Sequence, residues 1–277
     1  MSRTWFITGT SAGIGRLLAE RLLARGDRVA ASARHIESLD DLAAAHGERL
    51  WRARLDVTDP DAVRTVIDRA FAELGRIDVV VSNAGYGVLG AAEEASDEMV
   101  RAVIDTNLLG SIAVLRAAIP HLRAQGGGRL LQVSSEGGQI AYPGFSLYHA
   151  SKWGIEGFVE SLAKELAPFN IASTLVEPGP TATRFGTSVV RPAPMPVYDA
   201  TPADAVRRGI DSGTFAVTGD AGKVVGRVIE MIDSGATPLR LTLGASAYER
   251  VREALQQRLA ELEAQREIAR SVEQETE

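Results

Sequence analysis

Short apolar runs alternate with amphipathic stretches along most of the chain. Thr4–Thr8 (TWFIT) is a compact apolar run of β type, and Arg16–Arg25 after it carries Leu17, Leu18, Leu22 and Leu23 at helical spacing. The alternation then repeats. Val29–Ala33, Leu50–Leu55, Ile77–Ser82, Arg129–Ser134, Ala172–Glu177 and the short Leu239–Leu243 read as further strands. Ile77–Ser82 (IDVVVS) is almost continuously apolar, as in a strand covered on both faces. Helical patterns fill Ser38–Ala45, Pro60–Leu74, Asp97–Ala124 and Leu147–Ala167. Asp59-Pro60 is a good helix start, with Asp as the cap and Pro at the first position. Seven strands alternating with helices predict an α/β fold: a single-domain, Rossmann-like, doubly wound parallel sheet with helices on both faces. No internal repeat or linker divides it, so residues 1–244 are expected to form one body.

Two segments break the pattern. Six of the 11 prolines fall between Pro178 and Pro202. So many prolines cannot lie in sheet interior, and the segment reads as a long loop over about residues 180–215, of the kind that forms lids or binding walls. A disordered surface excursion is the alternative. The tail, Ala245–Glu277, sets Val251, Leu255, Leu259 and Leu262 in a helical apolar stripe among Glu, Gln and Arg. The stripe is expected to pack on the body of its own subunit, or alternatively on a second subunit. The last residues, SVEQETE, are expected to fray.

Composition removes several function classes. A chain of 277 residues, 45% hydrophobic, is globular and long enough for a large core. A net charge of −6 without a basic stretch disfavours nucleic acid and a basic membrane patch as partners. The absence of cysteine excludes disulfides, thiol nucleophiles and cysteine metal sites, and makes a reducing cytoplasm the natural compartment. A strand begins almost at the N-terminus, so no signal peptide is expected, and uninterrupted apolar runs are too short to span a bilayer. His35, His46, His121 and His149 lack metal-ligand spacing; they read as surface or loop residues, and no metal site is expected.

Two constellations carry chemistry. Gly9-Thr10-Ser11-Ala12-Gly13-Ile14-Gly15 joins the first strand to the first helix, the context of a dinucleotide fingerprint. Gly9 would allow the tight turn, Gly13 the approach of a pyrophosphate, and Gly15 close packing of helix on strand. Free N–H groups at the helix start favour phosphate. An ordinary glycine-rich turn is the bland alternative. Tyr148 and Lys152, in SLYHASKWGIEGF, put a phenol and an ammonium on one helix face. A phenol with a pKa of about 10 is a poor acid or base at neutral pH. A fixed cation beside it favours the phenolate, and the pair then suits proton transfer to or from an alcohol or carbonyl oxygen.

These residues resemble the motif set of the short-chain dehydrogenase/reductase family over nearly the whole chain. Thr8-Gly9-x-x-x-Gly13-x-Gly15 is similar to the family's TGxxxGxG loop, and Ser82-Asn83-Ala84-Gly85 to its NNAG motif, with Ser for the first Asn. Asn107 lies in TNLLG, Ser135 precedes Tyr148 by 13 residues, and Tyr148-x-x-x-Lys152 resembles the active-site pair. Pro178-Gly179, with Thr183 behind it, resembles the motif after the sixth strand. The resemblance implies that Tyr148 donates or accepts the proton and that Lys152 lowers its pKa and bonds the nicotinamide ribose. It implies that Ser135 holds the substrate oxygen and that Asn107 anchors a water linking Lys152 to solvent. Asp56, in LDVTD, would meet the adenine amino group with Val57 beside the ring, unless Asp56 only caps the turn before Asp59-Pro60. Asn83, Ala84 and Gly85 would support the sheet centre and touch the adenine ribose. Thr181 stands where the family has Val or Ile on the carboxamide.

The second strand ends on Ala33 and Arg34, where an NAD enzyme places an acid for the ribose 2′-hydroxyl. An acid repels a 2′-phosphate and a guanidinium clamps it, so NADP(H) is expected over NAD(H). The implied activity interconverts a carbonyl and a secondary alcohol on a small-molecule substrate. An epimerase or dehydratase with retained nicotinamide is disfavoured by the glycine spacing, and a non-catalytic redox sensor by the intact Ser135, Tyr148 and Lys152. Walls from Tyr86–Gly90, Glu136–Phe145 and the 180–215 loop, with Val88, Leu89, Ile140, Phe145, Val189 and Met195, suggest an apolar pocket. Glu136 has no evident partner; it faces solvent or a polar substrate group. The resemblance also implies a homo-oligomer, dimer or tetramer, paired through the helices of Asn107 and Tyr148, with Trp153 and Phe158 contributing.

Overall fold

The computed structural model describes residues 2–183 and 189–274. Among these residues seven strands build one parallel sheet: β1 (Thr4–Thr8), β2 (Arg28–Ala33), β3 (Leu50–Arg54), β4 (Val79–Ser82), β5 (Gly128–Val133), β6 (Ile171–Pro178) and β9 (Arg240–Leu243). Two further short strands, β7 (Thr181–Ala182) and β8 (Gly219–Asp220), pair apart from it. The order is β3-β2-β1-β4-β5-β6-β9. Chain direction across the sheet reverses between β1 and β4, and in such sheets that switch point opens a crevice at the carboxyl ends of the strands.

Strand alternation sorts the core into two layers. Phe6, Val80 and Leu130 face helices α3 (Pro60–Leu74), α5 (Ser111–Ala124) and α6 (Ser146–Leu166). Trp5, Ile7, Val79 and Val81 face α1 (Gly13–Ala24), α2 (Asp40–His46) and α8 (Ala221–Asp233). Burial of each large apolar side chain contributes about 2 kcal/mol, so a strand covered on both faces favours apolar residues at successive positions. Asp59 accepts from the N–H groups of Asp61 and Ala62, and α3 starts at Pro60 as the sequence predicts.

Four departures from the sequence reading matter for the site. The helix expected over Asp97–Ala124 is α4 (Asp97–Ile104), a π-helical turn at Asp105–Gly110, and α5. Together these 28 residues are long and apolar enough to cross a bilayer, which the short uninterrupted runs did not suggest. Val103, Val114, Leu115, Ala118 and Leu122 on their inner face are nevertheless buried in the protein. The proline-rich segment is not loop throughout, because Thr201 caps a helix, α7 (Pro202–Asp211). Its flank is pinned where Val190 bridges to Val88 and where Met195 N–H donates to buried Glu94. Residues 184–188 of the expected loop lie outside the described residues. Helix α8 was not anticipated. The tail forms α9 (Ala245–Ala264) and α10 (Arg266–Arg270), but its buried side chains lie only in the first turns of α9. Ala247 and Val251 are buried, whereas Leu255, Leu259 and Leu262 are 50%, 59% and 64% exposed. The final three residues of the end expected to fray lie outside the described residues.

Candidate active site

The carboxyl ends of β1, β4, β5 and β6 open into one cleft of about 1060 Å³. At its floor, Gly9 and Gly13 hold φ of +70° and +62°, a region costly for other residues. A Cβ on Gly9 would lie 2.8 Å from Ala84 Cα, and one on Gly15 would lie 2.4 Å from Asn83 Nδ2. These two glycines therefore permit close packing of turn, helix and strand. Gly13 differs, since among the described residues its missing Cβ meets only Thr183 Cβ, at 4.0 Å, and it lines the cleft. Ala12 offers no side-chain cap to α1, and the first turn carries no acid. The start of α1, with Ser11, Gly13 and Ile14 on the cleft wall, therefore fits a pyrophosphate. Asn83 fastens the floor by donating from Nδ2 to Thr8 O (2.9 Å) and Gly9 O (3.0 Å). Thr8 Oγ1 accepts from the N–H groups of Asn83 and Ala84.

Arg34, Asp56, Val57, Ala84 and Gly85 line the same cleft, as do Pro178, Gly179, Thr181 and Thr183. Arg34 is exposed at the mouth, directly after buried Ala33. Asp56 Oδ1 accepts from the N–H (3.0 Å) and hydroxyl (2.8 Å) of Thr58, so it does cap the turn, while still lining the cleft. Burial pushes the Asp56 carboxyl up, but the Thr58 bonds and the charges of Arg34 and Arg54 outweigh it and hold it down.

Ser135, Tyr148 and Lys152 meet across β5 and α6. Ser135 hydrogen-bonds the Tyr148 phenol, and its Oγ also accepts from Gly137 N–H at 3.0 Å. Lys152 Nζ donates to Val133 O at 2.9 Å and lies 5.7 Å from the Tyr148 ring centre. Burial pushes Tyr148 up to about 12, the Ser135 bond pulls it back, and the Glu136 charge raises it further. Burial also lowers Lys152 to about 8, against the pull of Glu156. In the ligand-free protein, burial rather than the neighbouring cation sets the direction of the Tyr148 shift, opposite to the sequence expectation. Asn107 is fully buried in the π turn. Its Nδ2 donates to Tyr86 O (2.8 Å) and Ser151 Oγ (3.1 Å), and its Oδ1 accepts from Tyr86 N–H (3.0 Å). The side chain thus ties α4–α5 to the β4 exit and to α6.

Several neighbours were not legible beforehand. His149 is buried on α6, not a surface or loop residue. It donates from Nδ1 to Gly137 O and accepts from Tyr142 N–H at Nε2, both at 2.8 Å, and burial lowers its pKa. Glu136 meets neither solvent nor empty cleft alone: it accepts from the Tyr142 hydroxyl at 2.6 Å and from Arg250 of α9 at 2.9 Å. Behind β5, Glu156 accepts from Ser134 and Gln139, both at 2.7 Å. Arg240 lies 3.1 Å from Glu156 and 3.3 Å from Glu177. Burial, and then the Glu156 charge, push Glu177 up to about 7. Of the expected substrate walls, Phe145 and Val189 line the cleft together with Val190, Ile210, Phe215 and Val217. Val88, Leu89 and Ile140 are instead buried in packing.

A switch-point cleft with a glycine turn on one side and a phenol, an ammonium and a hydroxyl on the other defines an oxidoreductase of the doubly wound α/β class. The chain belongs to the short-chain dehydrogenase family: the family model described as short chain dehydrogenase matches residues 3–193. It is 38% identical over 251 residues to Oxidoreductase BOA17 of Botryotinia fuckeliana (strain B05.10), covering 90% of this chain and 91% of that one. A short-chain dehydrogenase from Streptomyces avermitilis superposes with a TM-score of 0.91 at 36% identity, over 99% of this chain and 100% of that one. An alcohol dehydrogenase from the archaeon Thermococcus sibiricus, complexed with 5-hydroxy-NADP, matches with a TM-score of 0.71 at 25% identity, over 88% of this chain and 96% of that one.

Proposed function

We propose that this enzyme is an NADP(H)-dependent oxidoreductase that interconverts a carbonyl and a secondary alcohol on a small, apolar substrate. The observation that carries the proposal is that buried Tyr148 and Lys152, with half-buried Ser135, face the same cleft as the glycine turn. A nicotinamide bound in this cleft would supply or remove the hydride. Tyr148 Oη gives its proton to the carbonyl oxygen in reduction and takes it back in oxidation. A pKa of about 12 keeps the phenol protonated at neutral pH, the state that reduction needs. Ser135 holds the substrate oxygen and offsets charge as it develops. The Lys152 ammonium steadies the phenolate left behind and would bond the ribose of a bound nicotinamide nucleotide. Asn107 fixes the Gly85–Tyr86 segment through its amide, so its main chain in the widened π turn is the part left to anchor a water on the route from Lys152.

Gly9, Ser11, Gly13, Ile14 and Gly15 would cradle the pyrophosphate, and Asp56, Val57, Asn83, Ala84 and Gly85 the adenosine half. Pro178, Gly179, Thr181 and Thr183 would hold the nicotinamide half. Arg34 at the mouth, with no acid at the end of β2, supports NADP(H) over NAD(H). Phe145, Val190, Ile210, Phe215 and Val217 support an apolar substrate. In this reading residues 1–244 form the cofactor-binding catalytic body and 245–277 a helical tail. Half-exposed Leu109, Trp153 and Leu255 support a homo-oligomer, and the cysteine-free sequence a reducing cytoplasm. Steady-state consumption of NADPH and NADH with a panel of ketones and aldehydes tests the proposal. Turnover with NADPH and an apolar ketone is expected. Tight NADPH binding without turnover on any carbonyl would contradict it.

A further inference from the structure

Glu136 is a carboxylate with only 3% of its side chain exposed, directly after Ser135 on the cleft wall. Removing a carboxylate from water is expensive unless several donors replace the hydration. Here Arg250 Nη2 donates to both oxygens at 2.9 Å and the Tyr142 hydroxyl donates to Oε1 at 2.6 Å. The Glu136 carbonyl accepts from Gln139 N–H (2.9 Å) and Ile140 N–H (3.0 Å), and Ser135 O accepts from Gly138 N–H (2.9 Å). Main chain and side chain of Glu136 thus fix one tight turn, whose first residue carries the hydroxyl bonded to Tyr148. A second anchor from the same helix reaches this turn, since Arg258 Nη2 donates to Gln139 O at 2.9 Å. Helix α9 also presses on the neighbouring end of β6: a Cβ on Gly179 would lie 3.0 Å from Ala247 Cβ and 3.6 Å from Glu136 Oε2. The tail therefore braces the exits of β5 and β6 on the cleft wall, from residues beyond the matched 3–193 core.

We propose that Arg250 is a positioning residue for the reaction, acting through Glu136 to hold Ser135 Oγ and Tyr142 at the geometry the substrate oxygen requires. The inference rests on the carbonyl–alcohol reading above. Its test compares Arg250→Met, Arg250→Lys and the double variant Glu136→Gln with Arg250→Met, using a ketone that the wild type reduces. The double variant carries no unpaired buried charge, so it keeps the test open if Arg250→Met fails to fold. Misplacement of a reacting group by about 1 Å costs on the order of 100-fold, so kcat in Arg250→Met and in the double variant is expected to fall by about that factor. KM and the NADPH dissociation constant should stay close to wild type, because Arg250 is aimed at Glu136. Arg250→Lys should recover kcat to within about 10-fold of wild type, since its ammonium can still donate to the Glu136 carboxylate. Wild-type kcat in Arg250→Met or in the double variant would overturn the proposal. So would a loss in Arg250→Lys equal to that in Arg250→Met. Hydrogen exchange of the Gly137–Ile140 amides in the cofactor-free protein gives a readout independent of turnover. Faster exchange in Arg250→Met but not in Arg250→Lys supports the brace, and unchanged exchange refutes it. A wild type that reduces no carbonyl while showing that exchange pattern would sink the catalytic reading and leave the brace standing.

Discussion

Replacing Lys152 by Met should make the cofactor-free protein more stable at neutral pH while destroying its activity. Lys152 is only 5% exposed, and its pKa falls from 10.5 to about 8 because burial disfavours the ammonium. That difference corresponds to about 3 kcal/mol held against the charged side chain. Between about pH 8 and 10.5 the unfolded chain holds more protons than the folded one, so stability rises with pH across that window. Below about pH 8 the cost is fully present. Methionine keeps the unbranched stem but loses the bond to Val133 O, worth about 1 kcal/mol. The variant should therefore gain about 2 kcal/mol at pH 7, and that gain should disappear as pH passes the ordinary lysine value. Urea unfolding of both proteins at about pH 7 and about pH 10 measures the difference, and NADPH turnover should be at least about 100-fold lower in the variant. A Lys152→Met protein less stable than wild type at pH 7, or a stability difference independent of pH, would refute the reasoning.

Arg34→Ala should weaken NADPH binding by about 10- to 100-fold, the loss of one or two charge-assisted bonds to a 2′-phosphate, and leave NADH binding unchanged. Fluorescence titration with both cofactors reads this directly; an unchanged NADPH/NADH ratio would remove Arg34 from the specificity argument. Glu177, pushed up to about 7 by burial and by Glu156, keeps its proton in the folded state after the unfolded chain has lost it. Stability from this group is therefore present below the ordinary value of 4.5 and lost as pH rises through about 7. Glu177→Gln should raise the melting temperature more at pH 8 than at pH 5, and an equal shift at both would contradict that.

The sheet was readable because burial on both faces writes itself into consecutive residues, as at Val79–Ser82. The glycine turn was readable because backbone geometry restricts residue type at Gly9 and Gly13. Helix α8 carries a comparable signal, with Asp220 capping and Val224, Val225, Val228 and Ile232 at helical spacing. The α7 start is also written locally, in Thr201-Pro202 with Asp204 two residues on. What could not be read was contact across long sequence separation. Glu136 and Arg250 are 114 residues apart, and nothing local to either names the other. The direction of the Tyr148 shift was missed for a related reason. Sequence spacing places a cation near the phenol, but only the fold says how far both are removed from water. The apolar stripe of α9 was seen correctly as a stripe, yet periodicity alone does not say what covers Leu255, Leu259 and Leu262.

Everything proposed for the cleft turns on Tyr148 moving the proton in a hydride-transfer reaction. Its most direct test is Tyr148→Phe, measured for NADPH affinity and for single-turnover reduction of a ketone that the wild type accepts. Phenylalanine preserves the ring packing and removes only Oη. NADPH should bind as in wild type, and the reduction rate should fall by about 100- to 10,000-fold. A reduction rate near wild type in a variant that still binds NADPH would contradict the account.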